Sequence, residues 1–313
     1  MTVRAFQNRD LPGLLELLKT QDDGAEQGSG QGAEHGAAQR SMTPESRSVE
    51  ELALELGELS PYAEMVPLVL EQAGIAAYAA LCNHEGQIFL EGPLLRPGLA
   101  ASDAAPLLAG VVQEAEARGY AYLEAFVDEE NRRAQELLAA GGFEPFRTTY
   151  IYEFRRETPL SPLGPSAFRF ERGEDAEQSV DVGRYRDLYR DTTDDWATRL
   201  AWSDEDLAER FGDPNVSLLL AYDGDTPVGH LELERFPDEG YAEVAYFGVL
   251  PAARGKKLGR DLLLRALHEA FADDDTEVVL ARAHDDERPA SFALERVGFR
   301  LSHGVVAFTL ELA

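Results

Sequence analysis

The sequence predicts an α/β (α+β) protein made of two tandem domains. Three observations carry this expectation. Short apolar strand patterns alternate with helical ones along the chain, a proline-rich break lies near its middle, and the order of elements then repeats. The 313 residues suffice for two domains of about 150 residues. An apolar fraction of 44% allows each half its own core.

In the first half, a strand is predicted over Thr2 to Phe6, and Asp10 caps a helix over Leu11 to Lys19. The stretch from Gln21 to Arg47 holds Gly, Gln, Ala, Ser and Glu with almost no large apolar residue, the composition of a mobile insertion. Helical periodicity returns at Val49 to Leu59, followed by strand patterns at Val66 to Glu71, Ala76 to Cys82 and Gln87 to Leu95. Then come a helix near Ala104 to Ala117, a strand at Tyr120 to Val127, a helix at Asn131 to Ala140 and a strand at Thr148 to Phe154. Pro159, Pro162, Gly164 and Pro165 exclude a helix and a central strand alike. The expected domains are therefore 1–156 and 167–313, joined by a linker over 157–166.

The second half repeats the order: a strand at Phe168 to Glu171, then helices near Gln178 to Arg190 and Asp204 to Phe211. Asp223-Gly224-Asp225 turns a hairpin between Ser217–Tyr222 and Val228–Phe236. A strand over Tyr241 to Val249 leads through Pro251 into a helix with an apolar i, i+4 stripe at Leu258, Leu262, Ala266 and Ala270. The strands Val278 to Ala283 and Val306 to Leu312 flank a final helix, Ala290 to Val297. Pro97 to Phe143 and Pro251 to Phe299 can be overlaid, each with a helix, a strand, a short helix and a Gly-Phe ending.

With 29 basic and 58 acidic residues the net charge is −29, which disfavours nucleic acid and anionic membranes as partners and mildly favours a cationic small molecule. No apolar run approaches the roughly 18 residues of a membrane span. The opening residues lack the cationic flank and apolar stretch of a secretory signal. A single cysteine, Cys82, points to a reducing, cytoplasmic location. The chain holds only three lysines (Lys19, Lys256 and Lys257), and two of them are adjacent.

That pair lies in Val249-Leu-Pro-Ala-Ala-Arg-Gly-Lys-Lys-Leu-Gly-Arg260, where a strand ends and a glycine-containing loop enters a helix. The first turn of a helix offers free N–H groups and partial positive charge, a ready phosphate site. Arg254, Lys256, Lys257 and Arg260 add four cations, and Gly255 and Gly259 permit close approach. A pyrophosphate group is the predicted ligand. The nucleoside-triphosphate loop and the dinucleotide fingerprint are both absent.

The segment resembles motif A of the GNAT superfamily of acyl-coenzyme A-dependent N-acetyltransferases, matching at Val249, Pro251, Arg254, Gly255, Gly259 and Leu262. Lys257 stands where that family usually has glycine. The resemblance implies two tandem domains of this type, each a mixed, mostly antiparallel central sheet flanked by helices. It implies acetyl-coenzyme A as cosubstrate and no metal. The loop from Arg254 to Arg260, including Leu258, would hold the cofactor's phosphates, and backbone groups of Phe247, Gly248 and Val249 its pantetheine arm.

In many members a general-base glutamate lies six residues before the first motif valine, here Glu243. A tyrosine that protonates the leaving thiolate is usual in the later motif, where this chain has Leu294, and Glu287 replaces an asparagine. Tyr246 or Ser291 could substitute for it, and His284 is a further candidate. The first half keeps Asn131, Ala134, Gly142 and Phe143 but lacks the cationic loop, so it is expected to be a degenerate copy that does not bind coenzyme A productively.

The leading expectation is therefore N-acetyl transfer to a primary amine, small molecule or peptide, by a monomer or homodimer, with direct attack in a ternary complex. Alternatives are a tandem acetyltransferase like mycothiol synthase, a non-catalytic acyl-coenzyme A sensor, and a scaffold that recruits partners through 21–47.

Overall fold

The Asp223-Gly224-Asp225 turn shows how closely local chemistry sets the backbone. Gly224 takes a φ of 62°, which joins strands paired from Asp223↔Thr226 to Val216↔Glu234. The computed structural model describes residues 1–26, 64–84, 87–172, 182–192 and 198–312. The helix predicted over Val49 to Leu59 and residues 27–47 of the predicted insertion lie outside them. Two compact units result, one of Met1–Thr149 with His303–Ala313 and one of Tyr150–Ser302.

Unit 1 contains β1 (Thr2–Ala5), β2 (Glu64–Glu71), β3 (Ile75–His84), β4 (Gln87–Leu95) and β5 (Tyr122–Asp128), with the last strand of the chain, β12 (Arg300–Glu311), beside β5. Pairing is antiparallel except between β4 and β5. Strand alternation divides its core. Leu68 and Leu70 face α2 (Ala101–Ala117) and α3 (Arg132–Ala140), whereas Val69 and Tyr78 face α1 (Leu11–Glu26). Gln21 to Glu26, expected to begin the insertion, instead continue α1. Once buried Leu14, Leu15 and Leu18 anchor a helix, each added residue gains a hydrogen bond at little cost, so a polar sequence extends it.

Unit 2 has the order β6-β11-β10-β9-β8-β7, from β6 (Glu144–Arg155), β7 (Arg169–Arg172), β8 (Val216–Asp223), β9 (Thr226–Phe236), β10 (Tyr241–Val249) and β11 (Val278–His284). Only the end of β6, from Tyr150, belongs to this unit. On one face α6 (Leu258–Ala270) and α7 (Arg288–Val297) cover Leu231, Leu233, Val244, Val279 and Ala281. On the other, α4 (Val182–Thr192) and α5 (Asp204–Gly212) cover Leu218 and Leu220. In each unit the sheet is thus mixed, mostly antiparallel and flanked by helices.

The units divide the chain differently from the domains expected from sequence order. Residues 157–166 lie within unit 2, where Leu160 packs on its core, and His303–Ala313 belong to unit 1. The reason is the pairing of β12 with β5, from Val305↔Asp128 to Glu311↔Tyr122, which carries Phe308 into the core of unit 1. No helix among the described residues is long and apolar enough to cross a membrane.

Candidate active site

A fork in the sheet of unit 2 is the first element of the site. β10 runs parallel to β11 from Tyr241↔Val278 to Val244↔Ala281, and the pairing then stops. On its other side β10 stays paired with β9 to Val249↔Gly229. Among the described residues, no strand pairs with the edge of β10 from Tyr246 to Val249 that faces away from β9. Backbone groups of Phe247, Gly248 and Val249 along that edge are left for another partner.

A β-bulge decides which side chains share a face. Val244 pairs with Leu233 but Tyr246 with Glu232, so Ala245 is the extra residue. Glu243 and Tyr246 are three positions apart, and simple alternation would place them on opposite faces. The bulge brings both to the face of α4 and α5. Gly248 lies on the same face beneath α4, where an added Cβ would stand 2.4 Å from Thr192 Oγ1 and 2.8 Å from His230 Nε2. Only glycine fits there.

The second element is the loop. Pro251–Ala253 form a short 3-10 turn, Gly255 takes a φ of 77°, and Lys257 becomes the N-cap of α6 with a φ of 68°. The left-handed conformation costs a lysine about 1 kcal/mol relative to glycine. Arg254 Nε donates to Val249 O at 3.0 Å, which ties the loop to the end of β10. Lys256 and Lys257 are exposed, and Lys256 Nζ lies 3.7 Å from Asp223. No side chain caps α6. A Cβ on Gly259 would meet nothing closer than Val249 Cγ2 at 3.9 Å, so protein packing does not explain that glycine. Open space over a first turn rich in N–H groups and cations fits a diphosphate.

Below the fork lies a polar layer. Glu243 is largely buried, and Arg282 Nε on β11 forms an ion pair with its Oε1 at 2.8 Å. Burial raises the Glu243 carboxyl above its ordinary range, and Arg282 partly offsets this. Glu234, opposite it on β9, is held by both terminal nitrogens of Arg210, at 2.7 and 2.6 Å. Glu232 is fully buried; it accepts from Tyr185 Oη and, at 3.3 Å, from Arg199 Nη2. The Arg199 guanidinium also lies 5.1 Å from the centre of the Tyr246 ring, which packs edge-on against Tyr189. His230 is fully buried. Thr192 Oγ1 donates to Leu188 O at 2.7 Å, so its contact with His230 Nε2 at 2.8 Å is one it accepts. His230 is thus the neutral Nε2–H tautomer, and burial lowers its pKa to about 3.

Residues 184–299 match the acetyltransferase (GNAT) family. This segment, about a third of the chain and all of it within unit 2, carries a GNAT domain. The mycothiol acetyltransferase of Mycobacteroides abscessus is 37% identical over 107 residues, covering 32% of this chain and 36% of the relative. That of Gordonia bronchialis is 38% identical over 104 residues, covering 31% and 33%. These alignments span only about a third of each relative's length. Two solved structures extend the fold to the whole chain. A GCN5-related N-acetyltransferase from Sphaerobacter thermophilus gives a TM-score of 0.70 at 17% identity, covering 99% of this chain and 95% of its own. A tandem GNAT protein from the clavulanic acid biosynthesis pathway gives 0.61 at 16% identity, covering 99% and 98%. The tandem arrangement expected from the sequence is therefore present.

The other predicted residues separate by position. Leu294, in place of the usual GNAT tyrosine, is fully buried in the core. Glu287 accepts from the backbone N–H of His284 at 3.1 Å and so closes the turn before α7. Ser291 lies in the first turns of α7, and His284 ends β11 beyond the fork. None of Glu232, Glu234, Arg199, Arg210, Tyr185 and His230 stands out in the sequence as a site residue. The alternation of His230, Glu232 and Glu234 along β9 was the available signal. Polar residues at period two look like a solvated face until helices are known to cover it. Among the described residues, no group of three or more His, Cys, Asp or Glu is placed to hold a metal ion.

Proposed function

We propose that unit 2 transfers an acetyl group from acetyl-coenzyme A to a primary amine. One observation carries the reading: β10 parts from β11 at Val244 and runs directly into a cation-rich loop and an uncapped helix N-terminus. The pyrophosphate of acetyl-coenzyme A lies over the first turn of α6, bound by N–H groups of Leu258, Gly259 and Arg260. Arg254, Lys256, Lys257 and Arg260 add charge, and Gly255 keeps the approach open. The pantetheine arm takes backbone hydrogen bonds from the unpaired edge of β10 at Phe247, Gly248 and Val249. An N–H on that edge stabilises negative charge on the acyl oxygen.

Glu243 serves as the base. An amine is protonated near neutral pH and must lose a proton before it can attack; a carboxylate whose pKa is raised by burial is matched to that task. Glu243 takes the first proton from the ammonium; as the new C–N bond forms and the C–S bond breaks, the Tyr246 hydroxyl protonates the departing thiolate and is restored by the second proton from nitrogen. The GNAT match over residues 184–299 supports acetyl transfer in general. The acceptor is not carried over from the mycothiol acetyltransferases, because the match covers too little of them.

Calorimetric titration with acetyl-coenzyme A tests the first half of the reading. Heat of binding is expected, with affinity lost in the Arg254→Ala, Lys256→Ala double variant; undiminished binding there would sink the assignment. Acetylation assays over a panel of amines test the second half. The buried Leu294 favours one rival, an acyl-coenzyme A sensor without turnover. Tight binding with no product from any amine would support that rival.

A further inference from the structure

The charge at the fork narrows the acceptor. Arg282 stands one residue past Ala281, where β11 parts from β10. Val279, Ala281 and Ala283 enter the core under α6 and α7, so Leu280 and Arg282 project to the opposite face, the face of Glu243. The Arg282 side chain is 45% exposed and uses its Nε on Glu243. Its two terminal nitrogens make no hydrogen bond to the described residues. A planar guanidinium anchored in this way presents its remaining N–H groups as a fork for a second carboxylate.

Among the described residues, the carboxylates that β9 and β10 place on this face are each matched by an arginine. Glu232 is matched by Arg199 and Glu234 by Arg210, just as Glu243 is by Arg282. Despite the net charge of −29, no carboxylate of this trio is left unmatched to draw in a polycation. A diamine or polyamine would also bring its second positive charge up to Arg282, a like-charge contact in a partly desolvated place.

We infer that the acceptor is an amine with a carboxylate beside it, the pattern of a free amino acid, and that Arg282 is the residue that selects it. The inference rests on the proposed acetyl transfer. The acceptor's ammonium approaches Glu243 and its carboxylate takes the open N–H groups of Arg282, so two zwitterionic pairs meet with no net charge. The ammonium gives one proton to Glu243, the amine nitrogen bonds to the acyl carbon as the C–S bond breaks, and its second proton replaces the one that Tyr246 gives to the thiolate, which leaves as coenzyme A. The acceptor carboxylate is unchanged throughout.

The experiment measures steady-state acetylation by the full chain with acetyl-coenzyme A. The acceptors are a panel of amino acids, their matching amides, and diamines such as putrescine. For the best amino acid, kcat/KM is expected to exceed that of its amide by about tenfold or more, mainly through KM, the effect of one lost charge-assisted pair. In Arg282→Gln this ratio should fall to near one, and Arg282→Lys should restore only part of it. Thermal melting and acetyl-coenzyme A titration of both variants establish that fold and cofactor binding are intact. A preference for amides or diamines, a ratio that survives in Arg282→Gln, or no product from any amino acid would overturn the inference. Glu243→Gln separates the two readings. Full activity in that variant removes the base and leaves the carboxylate preference standing or falling by itself, whereas activity lost equally on amino acid and amide keeps the base.

Discussion

Both units carry the same junction of strand, loop and helix, and the two junctions have been filled in opposite ways. In unit 1, β4 ends at Leu95 and α2 begins at Ala101, with Ala100 as an extended N-cap. Arg133 on α3 reaches across and donates to the carbonyls of Arg96 and Leu99, so the loop is bonded to its own chain. The first turn of α2 holds Asp103, whose negative charge answers the helix dipole from within. Neither helix has a side-chain N-cap, and α6 also holds an acid, Asp261, in its first turn; what sets unit 2 apart is a lysine held at positive φ and the cations at Arg254, Lys256, Lys257 and Arg260. One junction carries a single cation, Arg96, and the other carries four, which is why the proposed diphosphate site is placed in unit 2. The fold supplies the helix end in both units, and a handful of loop residues decide whether it is a site.

The sharpest break in the comparison should come from the two strands at these junctions. Glu243→Gln is expected to lower kcat by about 10²- to 10⁴-fold in the acetylation assay, the usual worth of a positioned base. β4 also carries a carboxylate, Glu91, which accepts from Tyr78 Oη at 2.6 Å in a buried setting. Glu91→Gln should lower unfolding stability by about 1–3 kcal/mol in denaturant titration and leave kcat unchanged. A large kcat loss from Glu91→Gln would mean that unit 1 takes part in the chemistry. Next in size, Arg254→Ala with Lys256→Ala should weaken acetyl-coenzyme A about 10- to 100-fold by calorimetry, while Arg96→Ala has no effect. Equal losses would break the assignment of the cofactor to unit 2.

The acid limb of the pH–rate profile follows the sign of the Glu243 shift. A base whose pKa is raised by burial is lost as pH falls through that raised value, so activity should decline at a pH above the ordinary carboxylate range. Arg282→Gln removes the partner that stabilises the anion and should move the limb to still higher pH. Glu234, Arg210 and Tyr241 are the other charged or titratable groups acting with Glu243, and their effects are common to both proteins.

Stability responds to His230 in a different window. Its pKa falls from 6.5 when free to about 3 when folded, so the unfolded chain binds the proton first. Its contribution is fully present above pH 6.5 and is lost toward pH 3, by up to about 1.4 kcal/mol per pH unit. His230→Gln should flatten the fall in stability over that range, and an unchanged slope would contradict the neutral assignment. The smallest effect compares the two non-glycine residues at positive φ, Ala73 in unit 1 and Lys257 in unit 2. Glycine at either position should add up to about 1 kcal/mol of stability, but only Lys257→Gly should alter acetyl-coenzyme A affinity.

Much of unit 2 was legible because its signals are local. The hairpin turn at Gly224, the stripe of α6, and the cations between Arg254 and Arg260 all follow from residues within one or two turns of each other. The polar layer was less legible. Glu232 and Glu234 look solvated along β9, and the arginines that neutralise them, Arg199 and Arg210, lie 33 and 24 positions away in sequence. Helix α1 outran its apolar stripe because a formed helix propagates through polar residues more readily than composition suggests.

By itself the sequence determined the alternation of strands and helices, the duplicated layout, and the loop whose glycines and cations suit a diphosphate. Each of these depends on spacing within a short stretch, and spacing is what a sequence records. Tertiary structure alone decided three others. The extra residue at Ala245 brought Glu243 and Tyr246 to one face, although alternation would have divided them. Pairing with β5 assigned the chain's last strand to unit 1. The end of the β10–β11 ladder placed Arg282 on Glu243. All three are choices of partner between distant segments, set by which pairing buries the most apolar surface and leaves the fewest polar groups unmatched.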